Sequence, residues 1–497
     1  MTEVNVLIVG KDSWKDKYNI PQYIHINQSN EIVGKKISAP DVVILDRNII
    51  REELEQLLEV TKSYCLFVTE NASVDSVTRE LLQRKMGKRL YTGDLNEFFN
   101  QDVQFFYPNP YGEKFNSNFL QVNQLFDGEV VYKGRYNLEL TGSFGKDFRQ
   151  IAYWKNNIPI SKGQTLDLYF EHAKTDDVQV KLRIVMFGSG SVDTIENEWI
   201  FDDEQLKDVV RIKNDKAEGM IYASVLAKGE GKLNIYSLHD RYSRDDWGYF
   251  LPGGKRYTTT AGEEIFAYFE PGDFKPPLCF YFSGFKTQEG FEGYYMMKKM
   301  GCPFVLIAEA RLEGGAFYIG DSEYEELMVS IIKKYMKRMR VKADGVIFSG
   351  ASMGTVASLY YGCDIRPNTL ILAKPLVNLG NVARNETLVR VGTFSNSLEV
   401  VLKNYGNLSD KSLDLLNQRF WDKFDKADWS KTKFIIAYLY EDDYDTSAYA
   451  DILSHINSEG VQVYGKGIHG RHTDNTAAVF EWFKQHYAKV LREDFGR

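Results

Sequence analysis

Residues 344–362 read DGVIFSGASMGTVASLYYG. The run DGVIFSG is an apolar strand signal, and TVASLYYG spaces its apolar residues as a helix does. Between them, Gly350-Ala351-Ser352-Met353-Gly354 fits G-x-S-x-G. Strand, tight turn and helix around a central serine make a nucleophile elbow. The turn is strained and its backbone passes close to neighbouring elements, so its positions must be small. The geometry lifts the Ser352 hydroxyl clear of the sheet edge and aims a helix N-terminus at it. The competing reading is a structural serine in an ordinary βα turn.

Strand and helix signals alternate on both sides of this stretch. Strands are expected at Ile265–Phe269, Leu278–Phe282, Phe304–Ala308, Gly345–Ser349, Leu370–Ala373, Phe434–Leu439 and Val461–Tyr464. Such alternation predicts a mostly parallel sheet with helices on both faces. With the elbow, this is an α/β-hydrolase-type catalytic domain over residues 258–497.

A serine needs a base, and in this fold the chain order is serine, acid, histidine. Four histidines follow Ser352: His455, His469, His472 and His486. His455 and His486 fall in helical runs. His469 and His472 lie in the loop GKGIHGRHTDNT, where the base belongs, and His472 is favoured because it stands just before the next helix cap. The acid should follow the strand KFIIAYLY, in Glu441-Asp442-Asp443-Tyr444-Asp445. Those four carboxylates leave the choice open. Clustered carboxylates also bind metals, but no second ligand group has suitable spacing, so no metal is expected.

Acyl chemistry needs an oxyanion hole. One donor should be the N–H of Met353, the residue after the nucleophile. The other should come from Ser283-Gly284-Phe285, where Gly284 lets the backbone approach and the Phe285 N–H donates. The loop EARLEGGAFYIG carries Arg311 and Gly314-Gly315. It is expected to line the acceptor site, with a structural ion pair as the alternative for Arg311.

The first 112 residues read as a Rossmann-like α/β unit. Strand signals at Val4–Gly10, Asp41–Asp46 and Cys65–Thr69 accompany helices at Arg51–Lys62 and Val74–Lys85, with Ser73 as the N-cap of the second. Gly10 stands alone without G-x-G-x-x-G, which argues against a dinucleotide site. Pro108 and Pro110 in YPNPYG mark a boundary. Residues 113–257 instead show short strand signals between Gly, Asn and Asp turns (YNLELTG, TLDLYFEHA, VQVKLRIVMFG, MIYASVLA, KLNIYSL). They predict a β-sandwich of jelly-roll type. The segment HDRYSRDDWGYFLPGGKRY closes this region. It is either a packed linker or a loop over the active site, with Tyr242, Trp247, Tyr249 and Phe250 offering faces to sugars.

Composition bounds the rest. The chain of 497 residues is 43% hydrophobic and 26% charged, ordinary for two or three globular domains. A net charge of -8 argues against sequence-independent nucleic-acid binding, which needs a basic stripe. Four cysteines, Cys65, Cys279, Cys302 and Cys363, form no C-x-x-C and read as reduced core thiols. The opening MTEVNVLIVGKDSW is no signal peptide, and no apolar run reaches membrane-spanning length. A cytoplasmic protein is expected.

FSGASMGTVASLYYG, EDDYD and GRHTDNT, behind an α/β unit and a β-sandwich, make the chain resemble the second accessory Sec proteins of Gram-positive cocci. The resemblance covers essentially the whole chain. These proteins serve the export of serine-rich-repeat adhesins. The resemblance implies an O-acetyltransferase acting on N-acetylglucosamine of the glycosylated adhesin through an acetyl-serine. The donor would be a co-substrate such as acetyl-CoA rather than a tightly bound cofactor. It implies as partners the first and third accessory Sec proteins, the accessory SecA motor and the adhesin, met at the membrane export site. Carried onto this chain, the serine is Ser352, the histidine His472 and the acid Glu441, the only Glu of its cluster, with Asp442 as the alternative. A non-catalytic adaptor and a plain carbohydrate esterase are the competing functions.

Overall fold

The computed structural model describes residues 3–11, 13–107, 112–191 and 193–497. The boundary expected at Pro108 and Pro110 lies outside them. The fold is mixed α/β, built on three sheets.

The first sheet is parallel, in the order Ile24–Ser29, Val4–Val9, Val42–Leu45, Leu66–Val68, Lys88–Arg89. Its three central strands are apolar runs buried on both faces. The two edge strands escape sequence reading because one is polar and half exposed and the other is two residues long. Asp75, not Ser73, caps the helix Ser76–Arg84: its carboxylate accepts the Thr78 N–H at 2.8 Å. Ser73 instead accepts from the Asn48 amide.

The second sheet has ten strands, and its pairings are antiparallel. Its spine is the 24-residue strand Gly219–Tyr242. Register slips against Asn137–Trp154 near Val225, Ala227 and Gly229 are bulges that let long strands bend. Leu138, Phe170, Leu182, Val225 and Ile235, drawn from four strands, meet in one buried cluster.

The third sheet carries the elbow. Its eight strands run Lys255–Thr258, Glu264–Glu270, Phe304–Glu309, Leu278–Phe282, Val346–Ala351, Thr369–Ala373, Lys433–Leu439, Val463–Ile468. Its antiparallel pairings are those of Glu264–Glu270 with Lys255–Thr258 and Phe304–Glu309, and the rest are parallel. Lys255–Thr258 crosses the expected border at 257/258, because it pairs with Glu264–Glu270. Alternate strand residues feed two cores. Phe280 and Phe282 pack with the helices Ser322–Met339, Met353–Ile365 and Asp410–Phe424. Cys279 and Tyr281 pack with Tyr294–Lys299 and Thr476–Phe495. No helix among the described residues is long and apolar enough to cross a membrane.

The segment after Tyr242 is a packed junction rather than a loop over the active site. The Trp247 indole donates to Asp102 at 3.0 Å and meets Phe67, Phe98 and Phe106 of the first unit. The buried Arg244 guanidinium donates to the carbonyls of Phe105, Tyr107 and Phe250. Arg241 bridges Glu264 and Glu289 of the third unit, with His239 against Glu289. Aromatics here seal interfaces because large rings bury most area where three surfaces meet.

Trp247→Ala should lower stability by roughly 3 kcal/mol, read as a shifted urea midpoint; an unchanged midpoint would deny the sealing role. A second expectation concerns Asp240, whose two carboxylate oxygens are buried without hydrogen-bond partners. Burial, helped by the charges of Glu113 and Glu289, raises its carboxyl to about 8. The native state therefore keeps a proton that the unfolded chain loses near pH ~4. The contribution of Asp240 to stability is full below that pH and falls as pH climbs toward 8. Asp240→Asn should match wild type near pH ~4 and exceed it by a few kcal/mol (roughly) at neutral pH.

Candidate active site

Ser352 follows the strand Val346–Ala351 and precedes the helix Met353–Ile365, at φ 50° and ψ −119°. A non-glycine residue adopts such angles only where its surroundings over-determine them. The surroundings here are two glycines. A Cβ on Gly354 would sit 2.1 Å from the Phe282 carbonyl oxygen, and one on Gly350 2.5 Å from the Gly354 backbone. The Ser352 N–H donates to Ala373 at 2.8 Å, and its carbonyl accepts the Thr355 hydroxyl at 2.6 Å.

The Ser352 hydroxyl lies 2.8 Å from His472 Nε2, and His472 Nδ1 lies 2.8 Å from Asp442 Oδ2. His472 and Asp442 are 5% and 4% exposed. With the carboxylate accepting from Nδ1–H, Nε2 is the bare nitrogen and accepts from the serine. Asp442 Oδ1 also accepts the N–H groups of Tyr444 at 2.9 Å and Asp445 at 3.3 Å. Glu441 does not join this line. Its carboxylate accepts from the exposed His469 ring at 2.9 Å and the Gly470 N–H at 2.6 Å, and those bonds hold it below the ordinary glutamate range. The structure thus joins Ser352, His472 and Asp442 and leaves Glu441, the acid implied by resemblance, outside with His469.

Several groups that sequence reading missed fix the imidazole. Tyr444 stacks on His472 at 4.2 Å and 7°, and Phe394 stacks on Tyr444 at 5.1 Å. Arg390 lies 3.5 Å from the Tyr444 ring centre and pairs with Asp443 at 3.0 Å. Lys374 donates to the His472 carbonyl and to Thr476, each at 2.7 Å; burial lowers its pKa. Asp445 accepts the N–H groups of Val377 and Asn378 at 2.7 Å, and burial raises its pKa. Tyr444 is visible within the acidic run and Lys374 after the strand LILA, yet neither carries a motif. Their roles depend on loops distant in sequence.

Met353 opens its helix, where first-turn N–H groups lack intrahelical partners. The Gly284 N–H donates to the half-buried Glu292 at 2.7 Å, and a Cβ on Gly284 would lie 3.1 Å from the Ala351 carbonyl oxygen. Its loop therefore runs directly against the elbow. The Phe285 ring packs on Phe394 at 5.2 Å. Arg311 forms the structural ion pair that is the alternative to lining the acceptor site. It is 2% exposed, pairs with Glu309, donates to Ile319 and lies over the Tyr324 ring at 3.4 Å. Glu309 in turn accepts from Ala316 and Tyr318. Arg311 therefore braces the loop whose Gly315 abuts the Met353 side chain.

A family model described as the accessory Sec system GspB-transporter matches residues 4–497. The chain belongs to this family. The second accessory Sec system protein of Staphylococcus aureus is 36% identical over 448 residues, 90% of this chain and 86% of that protein. Its counterpart from Streptococcus gordonii is 35% identical over 468 residues, 92% and 88% of the two chains. Among solved structures, a chain of the glycosylation-associated protein complex of Streptococcus agalactiae superposes with a TM-score of 0.88 at 35% identity, covering 99% of both chains.

The geometry makes a spectroscopic prediction. A proton held between His472 Nδ1 and a buried carboxylate should give a far-downfield proton NMR signal. Asp442→Asn should abolish it and Glu441→Gln should leave it; the reverse pattern would move the acid to Glu441.

Proposed function

We propose that this protein is a serine acyltransferase of the accessory Sec system, transferring acetyl groups to N-acetylglucosamine on a glycosylated serine-rich-repeat adhesin. The reading rests on one observation: the hydrogen-bonded line Ser352–His472–Asp442 at a strained turn. A serine without a reacting role has no need of φ 50°, a buried imidazole and a buried carboxylate at once. The order of strands in the third sheet, with the elbow after its fifth, supports an α/β-hydrolase-type catalytic unit. The bent ten-stranded sheet is read as its β-sandwich companion.

In the first half-reaction the Ser352 oxygen attacks the carbonyl carbon of an acetyl thioester or ester. His472 Nε2 takes the hydroxyl proton and passes it to the leaving thiol or alcohol as that bond breaks. In the second, an acceptor hydroxyl attacks the acetyl-serine, its proton goes to Nε2, and Ser352 leaves with that proton. Asp442 holds the tautomer that leaves Nε2 bare and stabilises the imidazolium in both steps. The N–H groups of Met353 and Phe285 are proposed to hold the oxyanion. The stack of Tyr444 and Phe394 covers one face of the imidazole and limits water there, the condition that favours transfer over hydrolysis.

The similarity to a chain from a multi-protein assembly supports partnership with the first and third accessory proteins. The SecA motor and the adhesin are proposed as further partners. Ser352→Ala should leave the melting temperature and partner binding unchanged and eliminate acetylated sugars from the exported glycoprotein, read by mass spectrometry. Wild-type acetylation in that variant would end the assignment.

A further inference from the structure

A cleft of about 240 Å³ runs from the elbow to the ten-stranded sheet. Gly284 and Met353 line its catalytic end, and Asn116, Phe119 and Asn156 of the second unit line the opposite wall. The two units are locked together there. The buried Lys114 ammonium donates to the carbonyls of Ala310 and Leu312, and the Lys155 N–H donates to Phe119 at 3.0 Å, joining the two turns that form the wall.

Two polar groups in this cleft lack partners. Asn156 Oδ1 is buried with no hydrogen bond. The Lys286 ammonium, two residues past Gly284, makes no hydrogen bond or ion pair among the described residues, and burial lowers its pKa. An unmet buried acceptor costs free energy, about 1–3 kcal/mol, and in a cleft that reaches Met353, the residue after Ser352, it points to a ligand. Three carboxylates on its walls are already paired, Glu289 with Arg241, Glu309 with Arg311 and Glu313 with Arg135, which leaves an amide acceptor and an ammonium donor that a hydroxyl-bearing ligand can meet. Phe119, 39% exposed, offers a ring face to the C–H side of such a ligand. Convergent unpaired polar groups beside an apolar wall are the mark of a small-ligand site.

We infer that this cleft is the acceptor subsite, with Asn156 accepting from an acceptor hydroxyl, Lys286 donating to a second oxygen, and Phe119 packing on the ring. The inference rests on the acetyl-Ser352 reading. The bound hydroxyl attacks the acetyl carbonyl carbon, its proton goes to His472 Nε2, and the proton returns to the Ser352 oxygen as the ester bond breaks. The ten-stranded sheet thereby contributes to specificity through its turns at Asn116–Phe119 and Asn156, not through the segment around Trp247.

The test uses the full chain with p-nitrophenyl acetate as donor and methyl N-acetylglucosaminide as acceptor. A p-nitrophenol burst that Ser352→Ala abolishes establishes the acetyl-enzyme by itself. Asn156→Ala breaks no intramolecular bond of Oδ1, so its fold should hold. It should raise the acceptor KM about tenfold, the size of one lost hydrogen bond, with the loss in KM rather than kcat. Asn156→Asp, which keeps an acceptor oxygen, should restore most of that affinity, and Phe119→Ala should also raise KM. A normal burst with acceptor KM unchanged in both alanine variants would overturn the subsite while sparing the serine. A wild-type chain without a burst would overturn both.

Discussion

The approach of Gly354 to the Phe282 carbonyl governs this molecule. Side by side, the strands Leu278–Phe282 and Val346–Ala351 pair Phe282 with Gly350, so their ends lie under the first turn of the elbow helix. Only a residue without Cβ passes at that distance. The constraint drives Ser352 to positive φ at a cost of order 1–3 kcal/mol. Two fully buried strands and a helix buried along most of its length hold the turn against that cost. The same approach sets the Gly284 loop against Ala351. One steric contact thus positions the serine, the first-turn N–H groups and the loop facing them.

A second constraint joins the units. The side chains of Arg241, Glu264, Glu289 and His239 are buried together, and Arg256 pairs with Glu264. The two glutamates are held well below the ordinary range by Arg241, despite burial pushing the other way. Such a cluster adds little net stability over an apolar core, since desolvation nearly cancels attraction. Its value is geometric. Any rotation between the sheets would leave an unpaired buried charge, so the relative setting is sharply defined. The cleft between Gly284 and Asn156 inherits that definition.

What the sequence makes legible here is local. The apolar runs at Leu278–Phe282, Val346–Ala351 and Lys433–Leu439 are strands because both faces are buried, and G-x-S-x-G is readable because each position answers a contact within a few residues or one strand away. His472 follows from chain order and loop position. The acid was not readable. Four carboxylates in five residues share the same local rules, and the choice depends on which of them a turn aims inward. Ser73 against Asp75 is the same problem in small. Arg311 and Trp247 look exposed in sequence because they are polar or glycine-flanked, yet each is committed to a contact with a distant partner. Those partners, Glu263 and Tyr324 for one and Asp102 and Phe67 for the other, cannot be inferred from neighbours.

The preference for Asp442 over Glu441 has a backbone origin. The Asp442 N–H donates to the Leu439 carbonyl at 3.4 Å, while the N–H groups of Tyr444 and Asp445 turn back onto the Asp442 carboxylate. This aspartate turn leaves Oδ2 free for the imidazole, and a short side chain suits it. One residue earlier, Glu441 has the opposite exposure, with its N–H donating to Gly470 at 3.3 Å, and its longer chain clamps the outer edge of the His469–Gly470 loop. The two carboxylates hold one histidine loop from inside and outside. Asp445 adds the third tie, reaching Val377 and Asn378 just past the strand that pairs with the serine's own. Because the carboxylates of this network have hydrogen-bond donors on several chain segments, the network is stiff. The imidazole therefore stands at 2.8 Å from Ser352 on rigid supports from three chain segments, which is the preorganisation a proton relay requires.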